Sequence, residues 1–316
     1  MIGVTIGDPS GIGPEIVLKA LSASSLRAKR GNLLLIGNRK LLENLRQKFV
    51  GQGFSLAKYI VIDAFEDFKY QFGKAQKQCG ISSALQLHLA SHLLKVGKIK
   101  GIVTAPVSKT ALAMAGFPFP GQTEYFATEF GVKKYGMLAW SKDLKIILVT
   151  IHKPLKDVSK LITEQNVLEK IKLLNDYLKR FEKKRKPKIG VLALNPHAFE
   201  FSCGAEDKIL KAIKQARKLG ISAEGPIPAD SALLFAFRSS LSPRFDAYVS
   251  MYHDQGMLPV KLLAKGAGTN MTLGLPFIRT SPLHGVAFDI AGNSIANPNA
   301  MYNAIMLCQK LSKTIS

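Results

Sequence analysis

Apolar runs typical of buried strands alternate with amphipathic helical segments along almost the whole chain. The run IGVTIG precedes PEIVLKALS, and NLLLIG precedes RKLLENLRQKF. The same order recurs in the second half, where KIGVLALNPH is followed by EDKILKAIKQARKLG. This alternation indicates parallel strands joined by crossover helices, and strands that are apolar on both faces are covered by helices on both sides. The sequence therefore predicts an α/β fold with largely parallel sheets flanked by helices.

The length of the chain points to more than one domain. It has 316 residues, 47% of them hydrophobic, and a single core rarely extends beyond roughly 250–300 residues. The last segment, ANPNAMYNAIMLCQKLS, has the pattern of an amphipathic helix and is expected to pack on the first domain. We expect a first α/β domain from residues 1–121 and 268–316, and a second from residues 122–267 that carries a dimer interface. These boundaries are approximate.

The cysteines and the N-terminal residues indicate the cellular compartment of the protein. Cys79, Cys203 and Cys308 are far apart and form no CxxC pair, which is typical of free thiols in a reducing compartment. The start MIGVTIGDPSG has no basic region before its apolar run, so no signal peptide is predicted. No apolar run approaches the ~20 residues of a membrane span. We therefore expect a cytoplasmic protein with no membrane partner.

The basic charge raises the hypothesis of a nucleic-acid-binding protein. The formal net charge is +22, from 44 Lys and Arg against 22 Asp and Glu. The lysines are scattered over predicted helix surfaces, and the dense cluster at 179–188 ends a helix, where cations are favourable. No aromatic residues interleave with the basic ones as stacking platforms. Nucleic-acid binding is therefore a remote alternative, whereas a positive field would attract a phosphorylated or carboxylated substrate.

Three histidines each follow an apolar, strand-like run. His152 closes KIILVTIH, His197 closes KIGVLALNPH and His253 closes DAYVSMYH. The carboxyl ends of strands line the ligand crevice of open α/β sheets, so three imidazoles delivered there predict a divalent-metal site. Their wide spacing excludes a zinc finger, whose ligands come in close pairs. Asn195 and Asp254 stand close enough in sequence to orient two of the rings.

A single histidine after a strand is more often a structural residue than a metal ligand, so the prediction rests on all three together. His88 and His92 form a competing pair at i, i+4, a spacing that can chelate a metal on one helix face. The glutamate of the HExxH pattern is missing from LHLASH. We interpret this second pair as part of a helix surface or interface.

Four further motifs have both a structural and a functional interpretation. GDPSGIGPE, residues 7–15, reads as a tight strand–helix turn in which Asp8 could touch substrate. In TAPVSK, Lys109 could face an anion or be a surface lysine. In GQTE, Thr123 is expected to cap a helix, with substrate binding as the alternative. In GPIPAD, Asp230 could cap the next helix or lie near the metal.

The stretch 253–298 is dense in Gly, Pro, Asn and Thr and fits neither a plain helix nor a plain strand. Long structured loops of this composition usually carry function. Lys261 and Arg279 lie within it as candidate clamps for a phosphate or carboxylate. Either residue alone would more often be a solvated charge.

The order of these motifs resembles that of the 4-hydroxythreonine-4-phosphate dehydrogenases over essentially the whole chain. The matching motifs are GDPSGIGPE, TAPVSK, GQTE, IHKPL, NPHA, GPIPAD, YHDQG, GLPFIRTS and HGVAFDIAG. HGVAFDIAGNSIANP is also similar to the adenosine-binding loop of isopropylmalate dehydrogenases. The resemblance implies the two-domain isopropylmalate dehydrogenase-like fold, which is not a Rossmann fold.

The resemblance implies a homodimeric enzyme whose active site lies between the two domains and at the subunit interface. The family oxidises 4-phosphooxy-L-threonine with NAD. The resulting β-keto acid loses CO2 and gives 3-amino-2-oxopropyl phosphate for pyridoxal 5'-phosphate (vitamin B6) synthesis. A small phosphorylated molecule is therefore the expected substrate.

By the same resemblance, His152, His197 and His253 are metal ligands shared across the dimer, for Zn, Co or Mg. The positions that match cofactor contacts are His284 and Asp289, and an acid at 289 suits the free ribose hydroxyl of NAD over NADP. The general base is open, with Asp230 and Asp254 as candidates on location only. The positions that match substrate contacts are Gln122, Thr123, Lys261, Asn270 and Arg279.

Four residues depart from the family pattern. Gln122 replaces a usual histidine, Phe199 a glycine, Leu283 an aspartate and Val286 a threonine. These departures bear on the exact substrate more than on the reaction type. A paralogue acting on 4-phospho-threonate or erythronate is the first alternative. A metallohydrolase without NAD is a remote one, because a hydrolase needs no adenosine loop at 284–298.

Overall fold

The computed structural model describes residues 1–27, 30–237 and 244–314. Their contacts form two compact units, Met1–Lys133 with Leu275–Ser316, and Lys134–Gly274. The sequence predicted domain boundaries near residues 121 and 267. The boundaries of the two units lie later, after Lys133 and Gly274. The helix that begins at Gln122 belongs to the first unit because Tyr125 and Phe126 are buried in its hydrophobic core.

Strands and helices alternate through most of the described chain. The strands are β1 (Ile2–Thr5), β2 (Leu33–Gly37), β3 (Ile60–Asp63), β4 (Gly101–Thr104), β5 (Gly136–Trp140), β6 (Lys145–Leu148), β7 (Lys188–Leu192), β8 (Ser222–Ile227), β9 (Ala247–Ser250), β10 (Thr269–Leu273) and β11 (Ile278–Pro282). The helices are α1 (Gly13–Ser22), α2 (Ser24–Arg27), α3 (Arg39–Phe49), α4 (Lys77–Lys95), α5 (Lys109–Met114), α6 (Gln122–Glu129), α7 (Leu155–Leu161), α8 (Glu164–Phe181), α9 (Ala205–Lys218), α10 (Ala229–Phe237), α11 (His253–Ala264) and α12 (Asn299–Ser312).

The first unit is built on parallel strands in the order β3-β2-β1-β4-β11. Strands β1, β2, β4 and β11 are buried along their whole length, as strands covered on both faces should be. Helix α12 packs on this unit, where Thr280 Oγ1 donates to the carbonyl of Ala304 at 2.8 Å. The predicted α/β fold with parallel strands is confirmed here.

The second unit has the strand order β10-β5-β6-β9-β7-β8. Strand β5 is antiparallel to both of its neighbours. A short turn at 141–144 joins it directly to β6 without a crossover helix, which accounts for the β5–β6 pairing. From β6 onwards the pairs are parallel. The sheets are therefore largely parallel, as predicted, with one antiparallel strand that the apolar pattern did not distinguish.

The GDPSGIGPE segment is the tight turn that its composition predicts. Gly7 adopts φ +74°, and a Cβ there would lie 2.4 Å from the carbonyl oxygen of Pro106. Gly13 also admits no side chain, because a Cβ would lie 2.4 Å from the Ile6 carbonyl oxygen. Pro14 follows in the first turn of α1, where its missing N–H costs nothing. Among the helices that the structure describes, none has the length and hydropathy needed to cross a membrane.

Candidate functional site

The three predicted metal ligands all follow parallel strands of the second unit. Strands β6, β9 and β7 are neighbours in that order, so their carboxyl ends share one edge. His152 and His197 lie in the loops after β6 and β7, and His253 is the first residue of α11. The rings of His152 and His253 lie side by side, with centroids 5.8 Å apart. Two of the three imidazoles are therefore brought together.

The ring of His253 has a carboxylate partner. Its Nδ1 lies 2.7 Å from Asp254 Oδ1, and Asp254 is exposed. A carboxylate on one ring nitrogen fixes the tautomer and leaves the other nitrogen to bind a metal. Asp254, considered above as a general base, is thus placed to orient His253.

His197 does not join the other two imidazoles. It adopts a left-handed backbone conformation, with φ 55°, and its side chain is 64% exposed. Its neighbours are Glu200, 3.1 Å from Nδ1, and the ring of Phe201. Within residues 1–27, 30–237 and 244–314, no group of three or more His, Cys, Asp or Glu side chains could hold a metal ion. A single chain therefore offers the adjacent pair His152 and His253.

The other candidates of the second unit lie on α10, α11 and β10. Asp230 is exposed in the first turn of α10, which begins at Ala229, so it is not the N-cap. Lys261 is exposed near the end of α11. Asn270 is half-buried in β10, opposite Ala139 of β5. Among the described residues, no hydrogen bond or ion pair links Asp230 or Lys261 to the histidines.

The first unit holds a buried cation at the predicted substrate position Arg279. This side chain on β11 is only 3% exposed. Its Nη1 donates to Thr123 Oγ1 at 2.9 Å, and its Nη2 donates to Thr104 Oγ1 at 3.0 Å. A longer contact of 3.5 Å joins Nη2 to Gln122 Oε1. The guanidinium also lies over the ring of Phe126, 5.6 Å from its centroid.

Burial lowers the pKa of Arg279 to about 10, and the negative charge of Glu124 partly offsets that effect. The guanidinium is therefore still charged at neutral pH, although desolvation disfavours its charge. A fixed guanidinium whose hydrogen bonds to these hydroxyls hold its plane is suited to bind a phosphate or carboxylate.

The structure corrects the expectation that Thr123 caps a helix. The N-cap of α6 is Gly121, and the Thr123 hydroxyl accepts from Arg279 instead. Gln122 stands beside it, and its Nε2 donates to the Ala105 carbonyl at 3.3 Å. Thr104 is the residue that the sequence reasoning missed. Its signal was a hydroxyl at the end of an apolar strand, but the partner Arg279 lies 175 positions away.

Asp8 and Lys109 lie in different surroundings, one buried and one exposed. Asp8 is fully buried, and its Oδ1 accepts from both the backbone N–H and the hydroxyl of Ser10. Burial raises the pKa of Asp8, with the Ser10 hydrogen bonds acting in the opposite direction. Lys109 is exposed at the start of α5, which Ser108 caps.

The segment between β11 and α12 carries the predicted cofactor contacts. His284 is half-buried, with Nδ1 3.1 Å from the Gly285 carbonyl oxygen, and Asp289 is exposed. A Cβ built on Gly285 meets nothing within 4 Å. An open backbone surface with an exposed carboxylate suits an adenosine, whose ribose hydroxyls can donate to that carboxylate.

The remaining departures from the family pattern lie in different surroundings. Phe199 is 48% exposed, two residues after His197. Leu283 is buried, where the usual aspartate would need a partner. Val286 is half-buried and lies against Gly11, where a Cβ would come within 2.9 Å of it.

Comparisons with known proteins agree with these motifs. The family described as pyridoxal phosphate biosynthetic protein PdxA matches residues 22–308. A 4-hydroxythreonine-4-phosphate dehydrogenase of Sulfurihydrogenibium sp. (strain YO3AOP1) is 38% identical, over 99% of this chain and 98% of that protein. A protein of Oceanobacillus iheyensis, provisionally named D-threonate 4-phosphate dehydrogenase, is also 38% identical, over 99% and 98%.

Solved structures give the same result. The 4-hydroxythreonine-4-phosphate dehydrogenase of Klebsiella pneumoniae superimposes with a TM-score of 0.84 at 32% identity, over 99% of each chain. The resemblance that the motifs carried is thereby confirmed over the full length. The chain belongs to the pyridoxal phosphate biosynthetic protein PdxA family.

Proposed function

We propose that this chain is an NAD-dependent, metal-assisted dehydrogenase that oxidises 4-phosphooxy-L-threonine and releases CO2 and 3-amino-2-oxopropyl phosphate. The reaction would serve pyridoxal 5'-phosphate biosynthesis. The observation that carries the proposal is the buried Arg279, held by Thr104 and Thr123 in a member of this family. A buried cation so held is a binding group for an anionic substrate, which a phosphorylated hydroxy acid supplies.

The residues that match substrate contacts include two cations. Arg279 is hydrogen-bonded to Thr123 and contacts Gln122, and Lys261 and Asn270 are the other matching positions. Lys261 is exposed, so its ammonium is free to move toward a substrate anion, whereas the guanidinium of Arg279 is fixed. One fixed and one exposed cation suit a substrate with two anionic ends, a phosphate and a carboxylate.

His152 and His253 would hold a divalent cation, and Asp254 would orient His253. Imidazole ligands suit Zn or Co, and Mg is also possible. The metal would polarise the substrate hydroxyl and then the ketone oxygen, which favours both oxidation and loss of CO2. The third ligand, His197, would come from a second copy of the chain. An apolar stripe supports such a partner, because Leu258 and Leu262 of α11 are 57% and 68% exposed.

NAD would lie against residues 284–298, with Asp289 accepting from the adenosine ribose and His284 beside it. With Asp254 engaged by His253, Asp230 is the better candidate for the general base, since its exposed carboxylate is available to accept a proton. The free cysteines agree with a cytoplasmic enzyme.

The D-threonate-type relative supports an alternative substrate. A phosphorylated hydroxy acid without the amine would use the same anion contacts, and Gln122 and Phe199 are two of the four residues in this chain that depart from the 4-hydroxythreonine pattern. Both candidate reactions oxidise a secondary alcohol next to a carboxylate-bearing carbon. The two substrates differ in the substituent on the carbon that carries the amine in 4-phosphooxy-L-threonine.

The test is to follow NADH formation with purified protein, using 4-phosphooxy-L-threonine and 4-phospho-D-threonate in parallel. Each assay is run before and after treatment with a chelator and after adding back Zn, Co or Mg. Turnover of the first substrate that is lost with chelator and restored by metal supports the proposal. Turnover of the second alone supports the alternative. No NADH from either, with metal present, refutes both.

A further inference from the structure

The GDPSGIGPE motif and helix α1 hold the segment that follows β11. Residues 284–298 lie between β11 and α12 without a helix or strand of their own. Within them, Ala287 and Ser294 adopt left-handed backbone conformations, with φ 44° and 61°. Such conformations are unfavourable for residues with a side chain and persist where neighbouring structure fixes the backbone.

One end of the loop is held by the turn before α1. The backbone N–H of Ile12 donates to the Val286 carbonyl at 3.0 Å. The two segments approach so closely that a Cβ on Gly11 would lie 2.9 Å from the carbonyl oxygen of Val286. A glycine at position 11 is therefore required for the contact.

The other end is held by an ion pair on α1. The Glu15 side chain is 1% exposed, and its Oε1 accepts from Lys19 Nζ at 2.7 Å and from the Ala296 N–H at 2.8 Å. Lys19 Nζ also donates to the carbonyls of Ser294 and Ala296, at 2.8 and 3.1 Å. We refer to Glu15 and Lys19 as the α1 clamp.

A Glu–Lys pair at i, i+4 often does no more than stabilise its own helix, by about 0.2–0.5 kcal/mol. The α1 clamp differs in where its hydrogen bonds go. Three of the four bonds named above end on the backbone of the loop, more than 270 positions away in sequence. The carboxylate is also buried, so these charge-assisted bonds are little weakened by water. The clamp therefore acts on the shape of the loop.

We propose that Glu15 and Lys19 are positioning residues for the dinucleotide, because they fix residues 284–298 in the conformation that receives its adenosine half. This inference rests on the proposed function, in which the loop binds NAD. A loop already held in its bound shape pays less ordering entropy when the ligand binds. Weakening the clamp should therefore lower NAD affinity and leave substrate binding unchanged.

The test compares Glu15→Gln and Lys19→Met with the wild type. Glu15→Gln keeps the shape but removes the charge, and Lys19→Met removes the three donors but keeps most of the apolar stem. Lys95→Met is the matched control, because Lys95 forms an ion pair with Glu129 on the same unit without touching the loop. NAD affinity is measured by calorimetry without substrate, and hydrogen exchange at the Ala296 amide is measured without NAD.

We expect Lys19→Met to raise the Kd for NAD roughly tenfold and to accelerate exchange at Ala296. Glu15→Gln should have a smaller effect, and Lys95→Met none. The KM for the phosphorylated substrate at saturating NAD should stay within about twofold. Conservative Lys19→Arg should restore most of the affinity, because it retains the charge and the donors.

The outcomes separate this inference from the proposed function. If the wild type binds NAD and both clamp variants bind it equally well, the positioning role is wrong and the function stands. A lower melting temperature with unchanged Kd would assign the pair a purely structural role and would also overturn the inference. If the wild-type protein has no affinity for NAD, the proposed cofactor and this inference are both wrong.

Discussion

Replacing Thr104 by valine tests whether the buried guanidinium of Arg279 binds the substrate. The side chain of Thr104 is fully buried, and its hydroxyl accepts from Arg279 Nη2 at 3.0 Å. Valine has nearly the same shape but offers no acceptor, so the change leaves one N–H of a buried cation without this partner. Hydrogen bonds to charged groups contribute about 1.5–3 kcal/mol.

The remaining contacts of Arg279 with Thr123 and Gln122 moderate the loss, so we take the lower end of that range. A loss of about 1.5 kcal/mol corresponds to a roughly tenfold increase in Kd or KM for the phosphorylated substrate. The same change makes the charged guanidinium less favourable, which lowers the pKa of Arg279 further below its present value of about 10. Because anion binding needs the charged form, affinity falls as pH rises through this pKa, and the fall should begin at lower pH in the variant.

The assay measures substrate KM and kcat from pH 7 to 10 for the wild type, Thr104→Val and Thr104→Ser. Serine retains the acceptor and should stay close to the wild type. We expect Thr104→Val to raise KM with a smaller change in kcat and to shift the alkaline limb of the profile downward in pH. Equal KM values and superimposable profiles for valine and wild type would show that the hydrogen bond to Thr104 does not hold Arg279 for anion binding.

Three further predictions concern single residues. Gln122→His places an imidazole with an ordinary pKa of about 6.5 beside Arg279, so substrate affinity should rise as pH drops through that value, because the imidazolium adds a positive charge next to the bound anion. A pH profile of KM that matches the wild type would contradict this. His197→Ala should abolish activity and lower the metal content measured by elemental analysis, with an unchanged circular dichroism spectrum; full activity would exclude His197 as a ligand. Because burial raises the pKa of Asp8 above 3.8, the native state binds this proton more tightly than the unfolded chain. The contribution of Asp8 to the free energy of unfolding is then largest below pH 3.8 and is lost as pH rises through the raised pKa; Asp8→Asn should remove this dependence, as denaturant titrations across that range can check.

The strand ends were predictable from the sequence because they depend on local pattern. A short apolar run such as KIILVTIH between turn signals favours a buried strand, and its histidine then falls past the strand end, as His152 does after Leu148. The same reasoning applied to His197 and His253, and β6, β9 and β7 proved to be parallel neighbours. What the pattern could not specify is where each loop turns next. His197 enters a left-handed conformation, and this directs its ring toward Glu200 and Phe201 rather than toward His253.

The contacts of Arg279 could not be read from the sequence for a different reason. Thr104 and Arg279 meet because β4 and β11 pair, with Arg279 opposite Ile102. That pairing joins the two chain segments of one unit across most of the sequence. Likewise, a QTE sequence after glycine is compatible with a threonine cap, but the helix begins at Gln122 and its N-cap is Gly121, two residues before Thr123. The strand register and the start of the helix determine which polar side chain remains available to bind a ligand. Both are determined by packing.

The basic surface and the buried arginine have separable roles in the selection of a substrate. The net charge of +22 lies mostly on side chains in contact with water, where charges are screened beyond about 10 Å at 0.1 M salt. Such charges raise the local concentration of any anion, including nucleic acid, and do not distinguish among them. Discrimination requires a cation of fixed direction, and Arg279 meets that requirement because the hydroxyls of Thr104 and Thr123 hold its plane. The excess of lysine therefore affects the association rate of any anion, whereas Arg279, held by Thr104 and Thr123, determines which anion is bound selectively.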